Sequence, residues 1–428
     1  MPTEQDILLA LFEAALAAAL PEGKFAGRLP APPRGRTLVL GAGKAAARMA
    51  QAFEAEWGRP CEGLVVTRYG HACPTRFVEV VEAAHPVPDA AGLEATRRIL
   101  ELARGAGPDD LVVCLISGGA SALLTAPAPG LTLADKQALN AALLASGAPI
   151  AVMNRVRKAV SAVKGGRLAA AIHPARTETY VISDVPGDDP AVIGSGPTIP
   201  EPSDPEGVLE LLARADIPAS PALAAAIRAN RMEGAPPAPR VHLIATPLMA
   251  LEAAAARARA LGIAPLILGD AIEGEAREVG TAFAGIAGSA AAHGLPARAP
   301  CVLLSGGETT VTLRGAPGGR GGRNAEFLLA LTAALGGRAG IAALACDTDG
   351  IDGTEDNAGA WSDSRTLERA RAAGLDIPAA LARHDAYGVF EKLGQLVTTG
   401  PTLTNVNDFR AILVQEGNRC SHPRYDLG

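Results

Sequence analysis

The chain has 428 residues, of which 48% are hydrophobic and 20% are charged, a composition typical of a globular protein with two domains. Its formal net charge of −6 argues against general binding to nucleic acid or to an anionic membrane, because both need a basic protein surface. An acidic N-terminus with Glu13 inside the first apolar run predicts an amphipathic helix rather than a signal peptide, and no run is long enough to span a membrane.

The first half of the chain alternates short β-branched runs with Ala- and Leu-rich stretches. The third helix of this half begins with Thr132 and Asp135, a pattern typical of a capping box. Strands this apolar, interleaved with helices, predict a Rossmann-like, mostly parallel sheet with helices on both faces. The predicted strands are 37–41, 63–67, 78–83, 111–117 and 179–184, and the predicted helices are about 44–57, 89–104 and 132–146.

A segment rich in Pro and Gly at 232–240 predicts a domain boundary, after which the alternation restarts. We therefore expect a Rossmann-like N-terminal domain over 1–235 and a second α/β domain with a mixed sheet over 240–428. The tail from Glu416 is predicted to be unstructured. The predicted strands of the second half are 241–246, 265–270, 301–305, 310–314, 341–347 and 411–415. Its predicted helices are one that follows the first of these strands and ends at about residue 261, and two that cover 274–293 and 324–335.

Each half carries a Ser-Gly-Gly turn directly after a predicted strand. The first is Ser117-Gly118-Gly119 and the second is Ser305-Gly306-Gly307. Ligands of open α/β sheets bind at the carboxyl ends of the strands, which is where both turns fall. A single turn of this kind is as readily an ordinary tight turn, but its repetition favours a functional role.

The stretch Gly41-Ala-Gly43-Lys44-Ala-Ala-Ala47 follows the first strand and matches the relaxed GxGxxA dinucleotide fingerprint. The pattern is weak, because the next strand ends at Arg68 without the carboxylate that holds a ribose; Arg68 would suit a 2′-phosphate. Lys44 at the start of a helix opposes the helix dipole unless an anion lies there. This position favours a phosphate contact for Lys44, and a solvated side chain is the alternative.

The segment 153–171 places Arg157, Lys158, Lys164 and Arg167 at helical spacings, so that several of them share one face. A solvated basic face is the ordinary interpretation. The Gly165-Gly166 pair weakens it, because two glycines within a helix are costly unless the backbone needs a close approach there.

Two acidic loops follow strands. The first holds Asp184, Asp188 and Asp189, and the second holds five carboxylates beginning with Asp347. Carboxylates at strand ends are typical ligands of Mg²⁺, although turn-forming aspartates explain the first loop nearly as well and a hydrated acidic loop the second. The second loop lacks the spacing of an EF-hand, so we do not predict calcium.

Arg320 and Arg323 flank Gly321-Gly322 just before a predicted helix. Backbone amides at a helix N-terminus together with a guanidinium form a cradle for phosphate or carboxylate. The chain has no P-loop, protein-kinase signature, GxSxG elbow or HExxH helix. Its six cysteines include no CxxC pair, which predicts reduced thiols in a cytoplasmic protein.

Together these stretches resemble the glycerate 2-kinase family, whose older members carry the provisional name hydroxypyruvate reductase. The resemblance runs from about residue 37 to 410. It implies ATP-dependent phosphorylation of D-glycerate to 2-phosphoglycerate with Mg²⁺, in a two-domain α/β protein with its active site in the interdomain cleft. The motifs that carry it are HPVPDAAG, LISGGASALL, NRVRKAVSAVKGGRLA, SDVPGDDPAVIGSGPT, EGEAREVG, LLSGGETTVT, GRGGRNAEF and DTDGIDGTEDNAGA.

By this resemblance Lys44 and Arg323 match the family's catalytic pair, and phosphoryl transfer would need them to neutralise charge on the transferred group. Two stretches depart from the family pattern: ATPLMAL near residue 247, and GPTLTNVND, in which Leu403 replaces a glycine. The expected partners are small-molecule substrates and a second copy of the chain in a homodimer, with no nucleic acid and no membrane. The expected ATP-binding residues are Gly41, Gly43, Ser117, Gly118, Gly119, Lys164, Ser305, Gly306, Gly307 and Glu308, and the expected metal ligands are Asp188, Asp189 and Asp347.

Two other functions stay open at this point. An NAD(P)H-dependent hydroxypyruvate reductase would use the GxGxxA stretch, but it lacks the ribose carboxylate and an evident proton donor. A non-catalytic regulator that binds a sugar acid or a nucleotide would leave the catalytic-looking charges without a purpose.

Overall fold

A computed structural model describes residues 2–232, 234, 236–313 and 319–416. The chain begins with helix α1 (Glu4–Ala19) and packs into two compact units. We call residues 20–246 with 403–405 the Rossmann-like unit. The remaining described residues, which belong to Met1–Ala19, Pro247–Thr402 and Val406–Gly428, form the mixed-sheet unit.

The Rossmann-like unit contains a sheet of six parallel strands in the order β3-β2-β1-β4-β5-β6. This is the strand order of a dinucleotide-binding fold, in which the direction of winding reverses between β1 and β4. Both central strands are buried at all six positions, because helices cover both faces of the sheet. The strands are β1 (Thr37–Ala42), β2 (Glu62–Arg68), β3 (Val78–Ala83), β4 (Leu111–Ile116), β5 (Arg176–Ile182) and β6 (Arg240–Ala245).

The helices of this unit follow the sequence signals closely. Thr132 and Asp135 form the predicted capping box at the start of α5. The predicted basic helix is interrupted over residues 160–166, and Gly165 and Gly166 at the end of this interruption have φ angles of 58° and 84°, which favour glycine. The helices are α2 (Ala46–Trp57), α3 (Ala90–Arg104), α4 (Ala120–Leu123), α5 (Leu133–Ala145), α6 (Ile150–Ala159), α7 (Arg167–Ile172), α8 (Pro205–Arg214) and α9 (Pro221–Ala229), with a 3₁₀ turn at Ile193–Ser195.

The mixed-sheet unit contains a second six-stranded sheet in the order β13-β12-β11-β14-β9-β7. Its pairs are antiparallel except for β7 with β9, and a small parallel pair, β10 with β8, accompanies it. The strands are β7 (Ala264–Gly269), β8 (Gly274–Glu275), β9 (Cys301–Ser305), β10 (Thr309–Thr310), β11 (Ile341–Asp347), β12 (Gly359–Ser362), β13 (Leu396–Val397) and β14 (Asp408–Val414).

Aliphatic side chains fill the core of this unit, as the low aromatic content predicts; Leu303, Leu328 and Ile412 are among them. Helix α11 packs along α12 over the sheet. The helices after α1 are α10 (Pro247–Ala260), α11 (Ala276–His293), α12 (Arg323–Leu335), α13 (Thr366–Ala372), α14 (Ile377–Ala382) and α15 (Ala386–Leu393). No helix within the described ranges is both long and apolar enough to cross a membrane.

The predicted fold class, a parallel Rossmann-like sheet and a second unit with a mixed sheet, is confirmed. The division between the units differs from the predicted boundary at 235–240 in three places. Strand β6 completes the parallel sheet by pairing with β5, α1 packs against α10, and residues 403–405 group with the Rossmann-like unit. The predicted strand 310–314 is reduced to β10, and its last residue lies outside the described ranges, as does the predicted tail from residue 417.

Candidate active site

The carboxyl ends of β1 and β4 lie side by side at the reversal of strand order in the Rossmann-like unit. Lys44 follows β1, and the turn Ser117-Gly118-Gly119 follows β4. The Lys44 amide donates to the Gly118 carbonyl at 2.8 Å, and the Ala45 amide donates to Ser117 Oγ at 3.0 Å. The two predicted motifs therefore form one structure at the edge where α/β proteins bind ligands.

Two glycines at the end of β1, one within the strand and one after it, permit close packing against β4 and the turn that follows it. A Cβ on Gly41 would lie 2.4 Å from the Leu115 carbonyl oxygen, and a Cβ on Gly43 would lie 2.1 Å from Ser117 Oγ. The Gly43 amide donates to the Val66 carbonyl, so the amides of residues 43–45 all have acceptors within the protein. The amides of residues 43–45 therefore do not support the prediction that Gly41 and Gly43 contact the cofactor, and that assignment stays a prediction. Lys44 supplies the cation of this turn.

Polar side chains approach Gly118 and Gly119 so closely that a Cβ at either position would contact them. A Cβ on Gly118 would lie 2.0 Å from Asp184 Oδ2, whose carboxylate accepts a hydrogen bond from Asn405 Nδ2 at 3.0 Å. A Cβ on Gly119, where φ is 80°, would lie 3.1 Å from the His85 ring and 3.3 Å from Lys44 Cγ. The turn thus gathers Lys44, His85 and Asp184 around two glycines.

The loop after β5 separates its three aspartates. Asp189 is exposed, and its carboxylate accepts the Ala191 amide at 2.9 Å, which is the behaviour of a turn-forming residue. Asp188 has a φ of 54°, and its Oδ1 is buried without a hydrogen-bond partner among the described residues. Asp188 is therefore better suited than Asp189 to receive a cation.

The basic segment divides into paired and unpaired cations. Lys158 forms an ion pair with Glu201, whereas Lys164 is almost fully buried and donates to Ser121 Oγ at 2.6 Å. Burial, reinforced by the neighbouring cations Lys136 and Arg157, lowers the pKa of Lys164 well below its ordinary value. The segment is therefore more than a solvated basic face.

In the mixed-sheet unit Arg323 begins α12 and is surrounded by carboxylates. Its Nε bonds to Asp408 at 2.7 Å, one terminal nitrogen bonds to Asp347 at 2.8 Å, and the other lies 3.2 Å from Glu308. Burial lowers the pKa of Arg323, but Asp408, Asp347 and Glu308 outweigh that effect and hold the pKa well above its ordinary value. Arg410, which has no exposed surface, pairs with the other oxygen of Asp408.

The N-terminus of α12 is closed by a carboxylate of the protein. Asp352 accepts the Asn324 amide at 2.9 Å and the Ala325 amide at 2.8 Å, and Gly322 allows this approach because a Cβ there would lie 2.3 Å from Asp352. Arg320 instead pairs with Glu355 and Glu391 at the surface. The structure therefore corrects the interpretation of this segment as an open cradle for an external anion.

The second Ser-Gly-Gly turn is also engaged with the protein. The Gly306 amide donates to the Gly269 carbonyl at 2.9 Å, and the Gly306 carbonyl accepts from Arg410 at 3.1 Å. A Cβ on Gly307 would lie 2.2 Å from the Ile272 backbone. Ser305 Oγ is buried without a hydrogen-bond partner in the described part of the chain. Gly306 consequently does not present its amide to a phosphate, which corrects that expectation.

The three aspartates predicted to bind a metal ion do not form one cluster within the described residues. Asp347 pairs with Arg323, and Asp188 and Asp189 belong to the other unit. Over the ranges 2–232, 234, 236–313 and 319–416, no three His, Cys, Asp or Glu side chains are grouped to hold a metal ion. Mg²⁺ in phosphoryl-transfer enzymes needs only one or two carboxylates, because substrate phosphates and waters complete its shell.

Several residues of these clusters carry little signal in the sequence. Asn405 lies far along the chain from Asp184, to which it donates a hydrogen bond, and Asp408 lies far from Arg323, from which it accepts one. Only folding brings the two members of each pair into contact. Leu403, the residue that departs from the family pattern, has a φ of 60°, a conformation that favours glycine. Lys136 was unremarkable in its helix, yet it is buried near Lys164.

Two family models match the chain. The model described as "Domain of unknown function (DUF4147)" matches residues 7–228, and the model described as "MOFRL family" matches residues 301–408. Each match falls largely within one of the two units.

Relatives and a solved structure match nearly the whole chain. A protein of Agrobacterium vitis with the provisional name hydroxypyruvate reductase is 54% identical over 414 residues, which cover 96% of this chain and 94% of the relative. The D-glycerate 2-kinase of Thermotoga maritima is 37% identical over 406 residues, with coverage of 94% and 97%. A crystal structure of glycerate kinase from Thermotoga maritima superposes with a TM-score of 0.87 at 37% identity and covers 95% of this chain and 98% of that one.

Proposed function

Because this chain belongs to the glycerate 2-kinase family, we propose that it transfers the γ-phosphoryl group of ATP to the 2-hydroxyl of D-glycerate, giving 2-phosphoglycerate and ADP. The observation that carries this proposal is the match to a D-glycerate 2-kinase at 37% identity across both units. The site chemistry is compatible with it, because phosphoryl transfer depends on positioning and charge neutralisation more than on covalent catalysis.

Lys44 supplies positive charge to the transferred phosphoryl group in this proposal. The amides of residues 43–45 donate to acceptors within the protein, so this proposal assigns the anion contact to the Lys44 ammonium group rather than to those amides. Its side chain lies beside Gly119, with Lys44 Cγ 3.3 Å from where a Cβ of that glycine would be, and Gly119 lines a neighbouring pocket. A cation at this place would stabilise charge that develops on the phosphoryl oxygens.

Arg323 acts as the second catalytic cation, with its orientation fixed by three carboxylates. The hydrogen bonds to Asp408 and Asp347 hold the guanidinium plane without rotamer freedom, which is the preorganisation that transition-state stabilisation needs. The same carboxylates reduce the net charge that Arg323 presents. It is therefore suited to a phosphate that already carries a divalent cation.

Mg²⁺ enters as part of the nucleotide substrate and neutralises phosphate charge when bound. Asp188 fits this ion, because its buried Oδ1 has no hydrogen-bond partner among the described residues. Asp189 is exposed and already bonded within its turn, so Asp189→Asn serves as the matched control for Asp188→Asn. The first substitution should raise the Mg²⁺ concentration needed for half-maximal activity, and the second should leave it unchanged.

A coupled ADP-release assay tests the proposed function. Wild-type enzyme should release ADP with D-glycerate and much less with L-glycerate or related hydroxy acids, and phosphorus NMR should show the phosphate on the 2-hydroxyl. Product phosphorylated at the 3-hydroxyl, or no ADP release with any of these acids, would contradict the proposal.

Hydroxypyruvate reduction is the competing activity, and the name of the Agrobacterium vitis relative is the observation that favours it. The structure weighs against it, because a bound pyrophosphate needs the amides of the GxGxxA turn and those of residues 43–45 are already bonded. Oxidation of NADPH by hydroxypyruvate, followed by absorbance, measures this activity directly. We expect none above the background without enzyme.

A further inference from the structure

A pocket of about 490 Å³ opens in the Rossmann-like unit beside the Ser117-Gly118-Gly119 turn. Its walls come from the loop 85–88, from α5 and α6, and from Lys164. Gly119 lines it, and Lys44 Cγ lies 3.3 Å from where a Cβ of Gly119 would be. The pocket therefore adjoins the turn that carries the proposed catalytic lysine.

Three cations line this pocket without an acidic partner. Lys136 Nζ donates to Thr125 Oγ1 at 2.7 Å, Lys164 Nζ donates to Ser121 Oγ at 2.6 Å, and Arg157 Nε donates to Asn140 Oδ1 at 2.8 Å. These acceptors are all neutral. Within the described residues none of the three cations forms an ion pair, although Arg155 and Lys158 of the same helix α6 each pair with a carboxylate.

Buried cations without counter-charges are costly, because desolvation and mutual repulsion both disfavour the charged forms. Both effects act here: burial and then Arg157 lower the pKa of Lys136 to about 8, and burial lowers the pKa of Arg157. A carboxylate among the three cations would offset this cost, but none pairs with them within the described residues. The arrangement points to an anion that arrives from outside and carries several negative charges.

The remaining wall is apolar. Leu139, Leu143 and Val160 form its interior, and Val87 and Leu144 lie at its rim with 61% and 58% of their surfaces exposed. The volume falls within the range of roughly 300–1,000 Å³ that is typical of pockets for ligands the size of a drug or a cofactor. A three-carbon acid has neither the size nor the apolar surface to fill it.

We propose that this pocket is the nucleotide subsite, in which Lys136, Arg157 and Lys164 hold the phosphates of a nucleoside triphosphate and the apolar wall receives its base. The γ-phosphate then lies at the Gly119 end, beside Lys44. This assignment rests on the proposed kinase function and adds to it the residues that select the phosphoryl donor. The competing occupant is the carboxylate of the acid substrate, whose single charge would leave most of the cationic charge unbalanced.

The test compares Arg157→Leu and Lys136→Met with Arg214→Leu, whose side chain is 78% exposed and forms a surface ion pair with Glu210 at 3.7 Å. Binding of a non-hydrolysable ATP analogue is measured by calorimetry, and KM is measured separately for ATP and D-glycerate. We expect the pocket variants to weaken analogue binding and raise the KM for ATP by about tenfold or more, with the KM for D-glycerate changed less than about twofold. Arg214→Leu should match the wild type.

A second variant tests the proposed position of the nucleotide base and leaves the buried cations of the pocket unchanged. Leu144→Gln at the exposed rim should reduce the preference for the ATP analogue over inorganic triphosphate, while triphosphate itself binds as tightly as to the wild type. An unchanged preference would overturn the placement of the base.

The placement of the phosphates is overturned if the pocket variants raise the KM for D-glycerate while ATP binding stays at the wild-type level. Analogue binding needs no turnover, so it reports on the pocket independently of the reaction. A wild-type enzyme that binds the analogue but does not phosphorylate glycerate would contradict the proposed function and leave the nucleotide subsite supported.

Discussion

The two Ser-Gly-Gly turns look alike in sequence but lie in opposite electrostatic surroundings. The turn of the Rossmann-like unit lies beside a pocket whose cations, Lys136, Arg157 and Lys164, have no carboxylate partners among the described residues. The turn of the mixed-sheet unit precedes Glu308, in a cluster where carboxylates outnumber the guanidinium groups of Arg323 and Arg410.

This difference teaches that a strand followed by Ser-Gly-Gly specifies a close turn and leaves its chemistry to distant residues. Gly118 makes room for the Asp184 carboxylate, whereas Gly307 makes room for the Ile272 backbone. In our proposal the first region receives a polyanion, whereas the second holds one arginine rigidly among acids. Substitutions should therefore reduce function in the first region with little loss of stability, and reduce both function and stability in the second.

The largest expected effect is on turnover, from Lys44→Ala. Loss of a cation that faces the transferred phosphoryl group should reduce kcat by at least about a thousandfold. The substitution leaves the backbone hydrogen bonds of the turn in place, so the melting temperature should change by only a few degrees. Lys392→Ala, on the exposed surface of α15, is the control and should keep wild-type activity. Near-normal turnover in Lys44→Ala would remove this residue from the mechanism.

Arg323→Met should destabilise the fold as well as abolish activity. It leaves the buried Asp347 without its guanidinium partner and Asp408 with Arg410 as its remaining guanidinium partner, which costs about 3–5 kcal/mol. Arg320→Met, which removes surface ion pairs to Glu355 and Glu391, should cost less than about 1 kcal/mol. Urea unfolding measures both, and equal losses in the two variants would refute the contrast.

Asp352 gives the mixed-sheet unit a distinct pH dependence. Burial raises its pKa from 3.8 to about 6, so the folded state binds the proton more tightly than the unfolded state. This contribution to stability is therefore lost as the pH rises from about 4 to about 6. The free energy of unfolding of the wild type minus that of Asp352→Asn should fall by roughly 3 kcal/mol between about pH 3 and pH 7. A difference that does not vary with pH would show that this carboxyl titrates normally.

The smallest expected effect concerns the pH dependence of ATP affinity. Lys136, which faces Arg157 on α6 together with Lys164 and His85 around the same pocket, has a pKa lowered to about 8 by burial and by Arg157. The charged form that binds phosphate is lost above this pH, so the KM for ATP should rise by about tenfold from pH 7 to pH 9.

Lys136→Arg should flatten this rise, because the guanidinium stays charged over the whole range. The KM for D-glycerate in the same titration is the internal control. A rise of equal size in the wild type and in Lys136→Arg would assign the titration to another group.

Local patterns predicted most of the fold. Alternation of apolar strands with helices located the six strands of the parallel sheet, and the Thr132 capping box marked the start of α5. The short strands β8, β12 and β13 went unpredicted, because two to four residues carry too little periodicity to distinguish a strand from a turn. The assignment of β6 to a second domain failed for a related reason: its partner, β5, lies more than 50 residues earlier in the chain.

The sequence predicted which residues belong to the candidate site better than it predicted what each of them contacts. Lys44 and Arg323 were identified from glycine-rich turns near helix starts. The amides of those turns are nonetheless bonded to Val66, Gly118, Ser117 and Asp352, which no local pattern announces. Glycine at such positions shows that something approaches the backbone, but it does not show whether a ligand or the protein itself does so.

The sequence by itself determined the order of strands and helices, the aliphatic core and the family to which the chain belongs, because these properties are recorded in local periodicity and in ordered motifs. Only the tertiary structure decided which charges are paired. Lys136 and Lys158 cannot be distinguished by local sequence pattern. In the structure Lys136 is buried near two other cations, whereas Lys158 pairs with Glu201. Charge balance depends on distance and burial, and both are fixed by contacts between residues far apart in the chain.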